Sequence, residues 1–195
     1  MKPIKFKIIR SERLTLKPMP ADFKTANHLY EIVVRNREYF RYLPFANVKA
    51  PEEEYEYLKS TRDAWKNGKR ASYGVYLRGT NKLIGVCGLA GISWGNDSGE
   101  IGYWLDSQYA GRGYMTEATR AIMDFFFSGG LNRLVIRANV QNRASCAIAE
   151  RLGFVKEGLC RAELFNRNMN VYEDIVYYAK LRADWMAEQK NTRKK

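Results

Sequence analysis

Apolar and polar positions change period several times along the chain, and each change marks an element. Residues 11–18 alternate in polarity like a short strand, which Pro18 and Pro20 close. Phe23, Ala26, Tyr30 and Val33/Val34 then recur at helical spacing. Pro51 with Glu52, Glu53 and Glu54 announces a second helix, because proline suits a first helical position and acidic side chains favour the positive end of the helix dipole. Asn67 and Gly68 end it. From there the period is two: 72–77, 83–89 and 100–105 read as successive strands, separated by the turn residues 79–81 and 94–97, which suits antiparallel pairing. Met115, Ala118, Ile122, Phe125 and Phe126 share one helical face up to Gly129 and Gly130. A strand at 134–138, a helix at 142–152 and strands at 154–157 and 171–181 complete the pattern.

The predicted order is strand, two helices, three strands, helix, strand, helix, two strands. It describes an α/β (α+β) single domain over residues 1–189, a mixed sheet of about seven strands flanked by about four helices. Residues 190–195 read as a basic polar tail expected to be disordered.

Composition removes several classes of function. The 195 residues, 46% hydrophobic and 13% aromatic, suffice for one core. No apolar stretch reaches membrane-spanning length, since even 121–127 carries Asp124. Residues 1–7 interleave charge with apolar side chains where a secretory leader needs an unbroken apolar run, so a cytoplasmic protein without membrane contact is expected. Cys87, Cys146 and Cys160 are scattered, with no CxxC pair, and His28 stands alone; neither a disulfide framework nor a metal site is expected. A lone histidine in a helix also fits a Ser/His or Cys/His nucleophile poorly. Lys plus Arg exceed Asp plus Glu by 33 − 21 = +12, which favours anionic partners: a phosphate-bearing cofactor, or a ribosome or RNA contacted through basic surface.

The passage 100–118 changes this picture. Gly111 and Gly113 stand just before a helix, where backbone N–H groups can face one concavity without Cβ obstruction and the helix dipole adds positive potential. That arrangement suits a pyrophosphate, with Arg112 a mobile charge at its rim; on the two glycines alone, a tight turn fits as well. The spacing matches neither a P-loop nor a dinucleotide fingerprint. The run resembles the pyrophosphate motif of the GNAT superfamily of acetyl-CoA-dependent N-acetyltransferases, Q/R-x-x-G-x-G/A, satisfied at Gln108, Gly111 and Gly113. Residues 142–158 resemble the next motif of that family. Residues 100–106, the Asn142/Ser145 pair, Gly153 with Phe154, residues 161–163, and Tyr172, Asp174 and Tyr178 resemble the branch that acetylates the amino termini of ribosomal proteins. The resemblance spans residues 13–185 and is densest over 100–174.

The resemblance implies a strongly twisted sheet whose fourth and fifth strands splay to admit pantetheine. It implies cofactor phosphates on the helix beginning at Tyr114, Met115 and Thr116. Backbone groups of Tyr103, Trp104 and Leu105 would pair with the pantetheine arm, which Asn142 would also hydrogen-bond; the side chains of Tyr103 and Leu105 are expected in the core.

Moving an acetyl group from a thioester to an amine needs a neutral amine, a stabilised oxyanion and a departing thiolate, and a ternary complex supplies much of the rest by proximity. Many enzymes of the family carry a tyrosine where this chain has Ala149. Ser145, one turn earlier, becomes the candidate for the thiolate, although with Asn142 it also reads as a helix cap. Glu163 matches the glutamate used as base in the ribosomal-protein branch, and Glu100 shares a strand face with Gly102 and Trp104. Each also fits an ion pair among so many basic residues. Glu163 is assigned the proton and Glu100 the acceptor end. The acceptor loops are 39–48 and 165–172. The expected activity is acetylation of the N-terminal amine of a ribosomal protein by a monomer or homodimer. The alternatives are a small-molecule amine acceptor (polyamine, amino acid or aminoglycoside) and a ribosome- or RNA-binding assembly factor.

Overall fold

The computed structural model describes residues 4–192. Its strands are β1 (Ile9–Arg10), β2 (Leu14–Lys17), β3 (Ala71–Leu77), β4 (Leu83–Ser93), β5 (Ser98–Leu105), β6 (Arg133–Asn139), β7 (Val155–Asn166) and β8 (Val171–Leu181). Its helices are α1 (Phe23–Arg35), α2 (Pro51–Lys66), α3 (Tyr114–Ser128), α4 (Arg143–Arg151) and α5 (Arg182–Thr192). The strands form one sheet in the order β1-β2-β3-β4-β5-β6-β8-β7. Every neighbouring pair is antiparallel except β5 and β6.

Strand alternation supplies both faces of this sheet with apolar side chains. On one face, Ala118, Ile122 and Phe126 of α3 and Ala149 of α4 pack with Val75, Cys87, Ile101 and Ile136. On the other, Ala26 and Leu29 of α1 and Leu58 of α2 meet Tyr76 and Val86. Phe126 and Phe127 are completely buried, each contributing about 1.5–3 kcal/mol through area removed from water.

The parallel ladder between β5 and β6 is short: Ser98 faces Arg133, Gly99 faces Leu134 and Glu100 faces Val135, and there it stops. β5 continues against β4 as far as the Gly85–Leu105 pair, while β6 continues against β8 to the Asn139–Ile175 pair. These are the fourth and fifth strands of the seven read from the sequence, and they diverge as expected. The end of β5 is held away from β6 by Asp106, which is 1% exposed. Its carboxylate accepts from the Arg35 guanidinium and, at 3.0 Å, from Asn36 Nδ2 at the end of α1. Asn36 Oδ1 in turn accepts from Ser107 N–H at 3.1 Å.

Three parts differ from the sequence reading. β1 is an added edge of two residues, too short for periodicity to reveal. β7 extends to Asn166 rather than ending at residue 157, so Glu163 lies within a strand; Ala162 takes a left-handed φ of 51° at a break in register, and its N–H is satisfied by Asp174 Oδ1 at 2.8 Å. Helix α5 replaces the remainder of the domain and carries on through Thr192, so the basic tail expected from Lys190 begins inside a helix, and residues 193–195 lie outside the described residues. Tertiary contacts anchor that helix: Trp185 Nε1 donates to Asp124 at 2.7 Å, and the buried Lys180 donates to Glu188 at 2.7 Å.

Burial alone would raise the Asp106 carboxyl, but hydrogen bonds from Arg35, Asn36 and Gln108 N–H outweigh it and hold it below the ordinary aspartate range. Its stabilisation is therefore complete above the unfolded-state value, about 3.9, and is lost as pH falls through the lower folded value. Asp106→Ala is expected to cost roughly 2–4 kcal/mol, after allowing for the partly exposed Arg35, when urea unfolding is measured at neutral pH. The difference from wild type should shrink in acid; a variant as stable as wild type at pH 7 would remove Asp106 from this role.

Candidate active site

A cavity of about 1170 Å³ runs through the gap between β5 and β6 and is lined on both faces of the sheet. At one end lies the start of α3. Gly111 and Gly113 have φ of 74° and 77°, left-handed conformations that favour glycine, and Gly113 is the N-cap. The amides of Tyr114, Met115 and Thr116 precede the first helical bond, from Glu117 N–H to Gly113 O at 3.0 Å, and no side chain caps them. These three residues, with Gly111 and Gly113, line the cavity, while Gln108 and Arg112 do not. Arg120 and Arg151 line the same end, with Arg151 donating to Thr116 Oγ at 2.9 Å, which suits an anionic ligand.

Arg13, which sequence reasoning overlooked, braces this cradle. Its guanidinium donates to Arg112 O at 3.0 Å and to Glu117 at 2.6 Å, and stacks on Tyr114 with its carbon 4.6 Å from the ring centre. Glu117 also accepts from Ser11 Oγ at 2.7 Å and Arg13 N–H at 2.8 Å. Burial would raise the Glu117 carboxyl, but these bonds hold it below its ordinary range. The only hint in the sequence is the acidic residue in the first turn of α3.

In the middle of the cavity the edge of β5 from Ile101 to Leu105 has no strand beside it. Trp104 packs edge-on to Phe40, their ring centres 5.6 Å apart, and Leu105 enters the core. Tyr103 does more than pack: its hydroxyl crosses to α4, donating to Ser145 O at 3.1 Å and sharing a hydrogen bond with Ser145 Oγ at 3.1 Å. Burial pushes the Tyr103 hydroxyl far above the usual tyrosine value, with the Ser145 bond offsetting part of the rise, so it stays protonated. Asn142 Oδ1 accepts from Ser145 N–H at 3.2 Å and caps α4. The pair forms the helix cap, and both residues also line the cavity. Ala149 is completely buried, and the hydroxyl of Tyr103 comes from across the gap instead.

On the far face of the sheet stand the two glutamates. Arg137 joins them, with Nε 3.8 Å from Glu100 and Nη2 3.7 Å from Glu163. Glu100 and Arg137 line the cavity; Glu163 does not, and its Oε1 is taken by the Tyr177 hydroxyl at 2.6 Å. Arg137 was legible only as a charge inside an otherwise apolar strand, Leu134, Val135, Ile136 and Ala138. The two loops expected to meet the acceptor are tied together: Asn166 Nδ2 donates to Arg41 O at 2.8 Å and Asn168 Nδ2 to Leu43 O at 2.8 Å.

A twisted sheet parted between a parallel pair, with a glycine cradle at a helix start on one side and carboxylates on the other, is the framework of an acyl-CoA-dependent transferase. The acetyltransferase (GNAT) domain family matches residues 13–155, and the chain belongs to that family. YdaF of Bacillus subtilis (strain 168), whose name provisionally assigns it to ribosomal N-acetylation, is 30% identical over 183 residues, covering 92% of this chain and 97% of its own. The ribosomal-protein-serine acetyltransferase of Escherichia coli (strain K12) is 39% identical over 103 residues, covering 52% of this chain and 56% of that one. The solved structure of RimL, a ribosomal L7/L12 alpha-N-protein acetyltransferase in complex with coenzyme A, superposes with a TM-score of 0.82 at 27% identity, covering 90% of this chain and 98% of that one. The chain is an acetyl-CoA-dependent N-acetyltransferase that acts on an amine acceptor.

A ligand that binds only the folded state stabilises it, so acetyl-CoA at a hundredfold excess over Kd should stabilise the protein by about 2.7 kcal/mol. Gly113→Asp places a side chain and a negative charge at a left-handed position in the cradle and should abolish the thermal shift. Arg13→Ala should reduce it, because the brace on Arg112 O is lost. An unchanged shift in Gly113→Asp would place the phosphates elsewhere.

Proposed function

We propose that this enzyme acetylates the N-terminal amine of a protein, foremost a ribosomal protein, by direct attack on acetyl-CoA in a ternary complex. The observation that carries the reading is the continuity of the cavity. It is open to a cofactor on the α3–α4 face and to an acceptor on the Glu100–Arg137 face, so both reactants can meet at the parting of the strands. Names of relatives direct the choice of acceptor. Neither cysteine nor histidine lines the cavity among the described residues, which favours direct attack over a covalent enzyme intermediate.

In this mechanism the free edge of β5 offers backbone amides to pantetheine and to the developing oxyanion, and the amide of Asn142 also faces the arm. Ser145 gives a hydrogen bond to the departing sulfur when the Tyr103 hydroxyl turns its proton from Ser145 O to Ser145 Oγ, which leaves the serine proton free and oriented. Of the two carboxylates, Glu100 is the better placed to take the amine proton, since it lines the cavity where the strands part. Glu163 holds Arg137 and Tyr177 in position. This reverses the sequence-based assignment of the proton to Glu163, which rested on the family resemblance, and of the acceptor end to Glu100.

Incubation with labelled acetyl-CoA and a panel of ribosomal proteins, polyamines and free amino acids, followed by mass analysis, tests the acceptor; label on a polyamine or amino acid alone would move the activity to small molecules. Glu100→Gln should lower turnover by about 10²-fold at pH 6.5–7. The deficit should shrink towards pH 8 and above, as an amino terminus with a pKa near 7.7–8.0 deprotonates unaided. Ser145→Ala should lower kcat with little change in acetyl-CoA affinity. Wild-type turnover in Glu100→Gln beside a disabled Glu163→Gln would return the proton to Glu163.

A further inference from the structure

We propose that the acceptor end of the cavity contains a cation-binding subsite built on Glu173, which receives an ammonium or guanidinium group of the acceptor other than the amine that reacts. It deepens the peptide-acetylating reading above and rests on it for the identity of the guest. Glu173 is only 3% exposed, yet it lines the cavity together with Ile175, the next residue on the same face of β8. Its Oε1 accepts from Asn166 Nδ2. Its Oε2 is buried and has no hydrogen-bond partner among the described residues.

A buried carboxylate with half its accepting capacity unmet is costly, and a glutamine would serve equally well if the only task were to receive Asn166. The charge is therefore kept for something that enters the cavity. Arginines nearby in the fold are already committed: Arg137 is shared by Glu100 and Glu163, and Arg41 turns its guanidinium to Glu38 at 2.9 Å and to the face of Tyr42. Asn166, which fixes Glu173, also donates to Arg41 O, so the carboxylate is set in the junction between the two acceptor loops.

The reacting amine is not the guest. That amine belongs beside Glu100, at the parting of the strands, and Glu173 lines a different part of the cavity. Glu173 also stands four residues along β8 from Tyr177, the partner of Arg137 in the ladder, or roughly 13 Å of strand. In an extended peptide whose amino terminus lies at the parting of the strands, a lysine or arginine at about the third residue spans that length.

Peptides with a free amino terminus, identical except for lysine or norleucine at the second, third or fourth residue, test this by KM. Their N-acetylated forms test it without turnover, by calorimetry in the presence of coenzyme A. Wild type should favour lysine on the order of tenfold or more at one of these positions. Glu173→Gln, which still accepts from Asn166, should bring the two members of that pair together. The same discrimination in binding, with no peptide acetylated, would keep the subsite and defeat only the peptide-acetylating reading. A Glu173-dependent preference for spermidine over butylamine, with no peptide bound, would keep the subsite and give it a small polycationic guest. Equal affinity of wild type for lysine and norleucine peptides, a preference that survives in Glu173→Gln, or no binding of any peptide or of spermidine would overturn the proposal.

Discussion

Beyond Glu100 the backbone of β5 has a strand beside it on one side only, and the rest of the site is a consequence of that. A parallel pair of full length would satisfy the peptide groups of Ile101 to Leu105 internally; parted, it leaves them as a ready edge for an extended ligand. The parting is maintained from both sides. Asp106 is drawn towards the end of α1 by Arg35 and Asn36, and β6 is held by its long antiparallel ladder with β8. Tyr103 then spans the opening to Ser145, so the first residue of consequence on α4 is positioned from β5.

The cavity wall carries both signs although the chain as a whole carries +12. Glu117, Arg120 and Arg151 line it by the start of α3, and Glu100, Arg137 and Glu173 line it on the side of the acceptor loops. Net charge describes the field at a distance; close to the wall the sign changes from one side chain to the next.

Scaffold and acceptor region also differ in how they are held. The sheet and α3 are fixed by apolar burial, with Phe126, Phe127 and Ile122 completely enclosed. The acceptor loops are fixed by side-chain amides reaching main-chain oxygens, Asn166 to Arg41 and Asn168 to Leu43. Changing those loops costs a few hydrogen bonds rather than a core, which lets one framework serve different acceptors across a family.

Periodicity by itself determined the three central strands, helices α1 to α4 and the helix start after Gly113, because each of these is set by a repeating apolar pattern or a local turn requirement within a few residues. The turn at Gly111 and Gly113 was legible for the same reason, a left-handed φ before a helix being a local demand; its reading as a cofactor motif, Gln108 included, came from the family resemblance. What only the tertiary structure decided is contact between residues far apart in the chain: Tyr103 with Ser145, Arg13 with Glu117, Arg137 with Glu100, and Asn166, the partner of Glu173, with Arg41. The length of β7 and the helix α5 belong there too, since partner strand β8 supports the one and Asp124 and Lys180 anchor the other. A carboxylate in a sequence looks the same whether it pairs at the surface or lines a cavity, and only the packing around it assigns the difference.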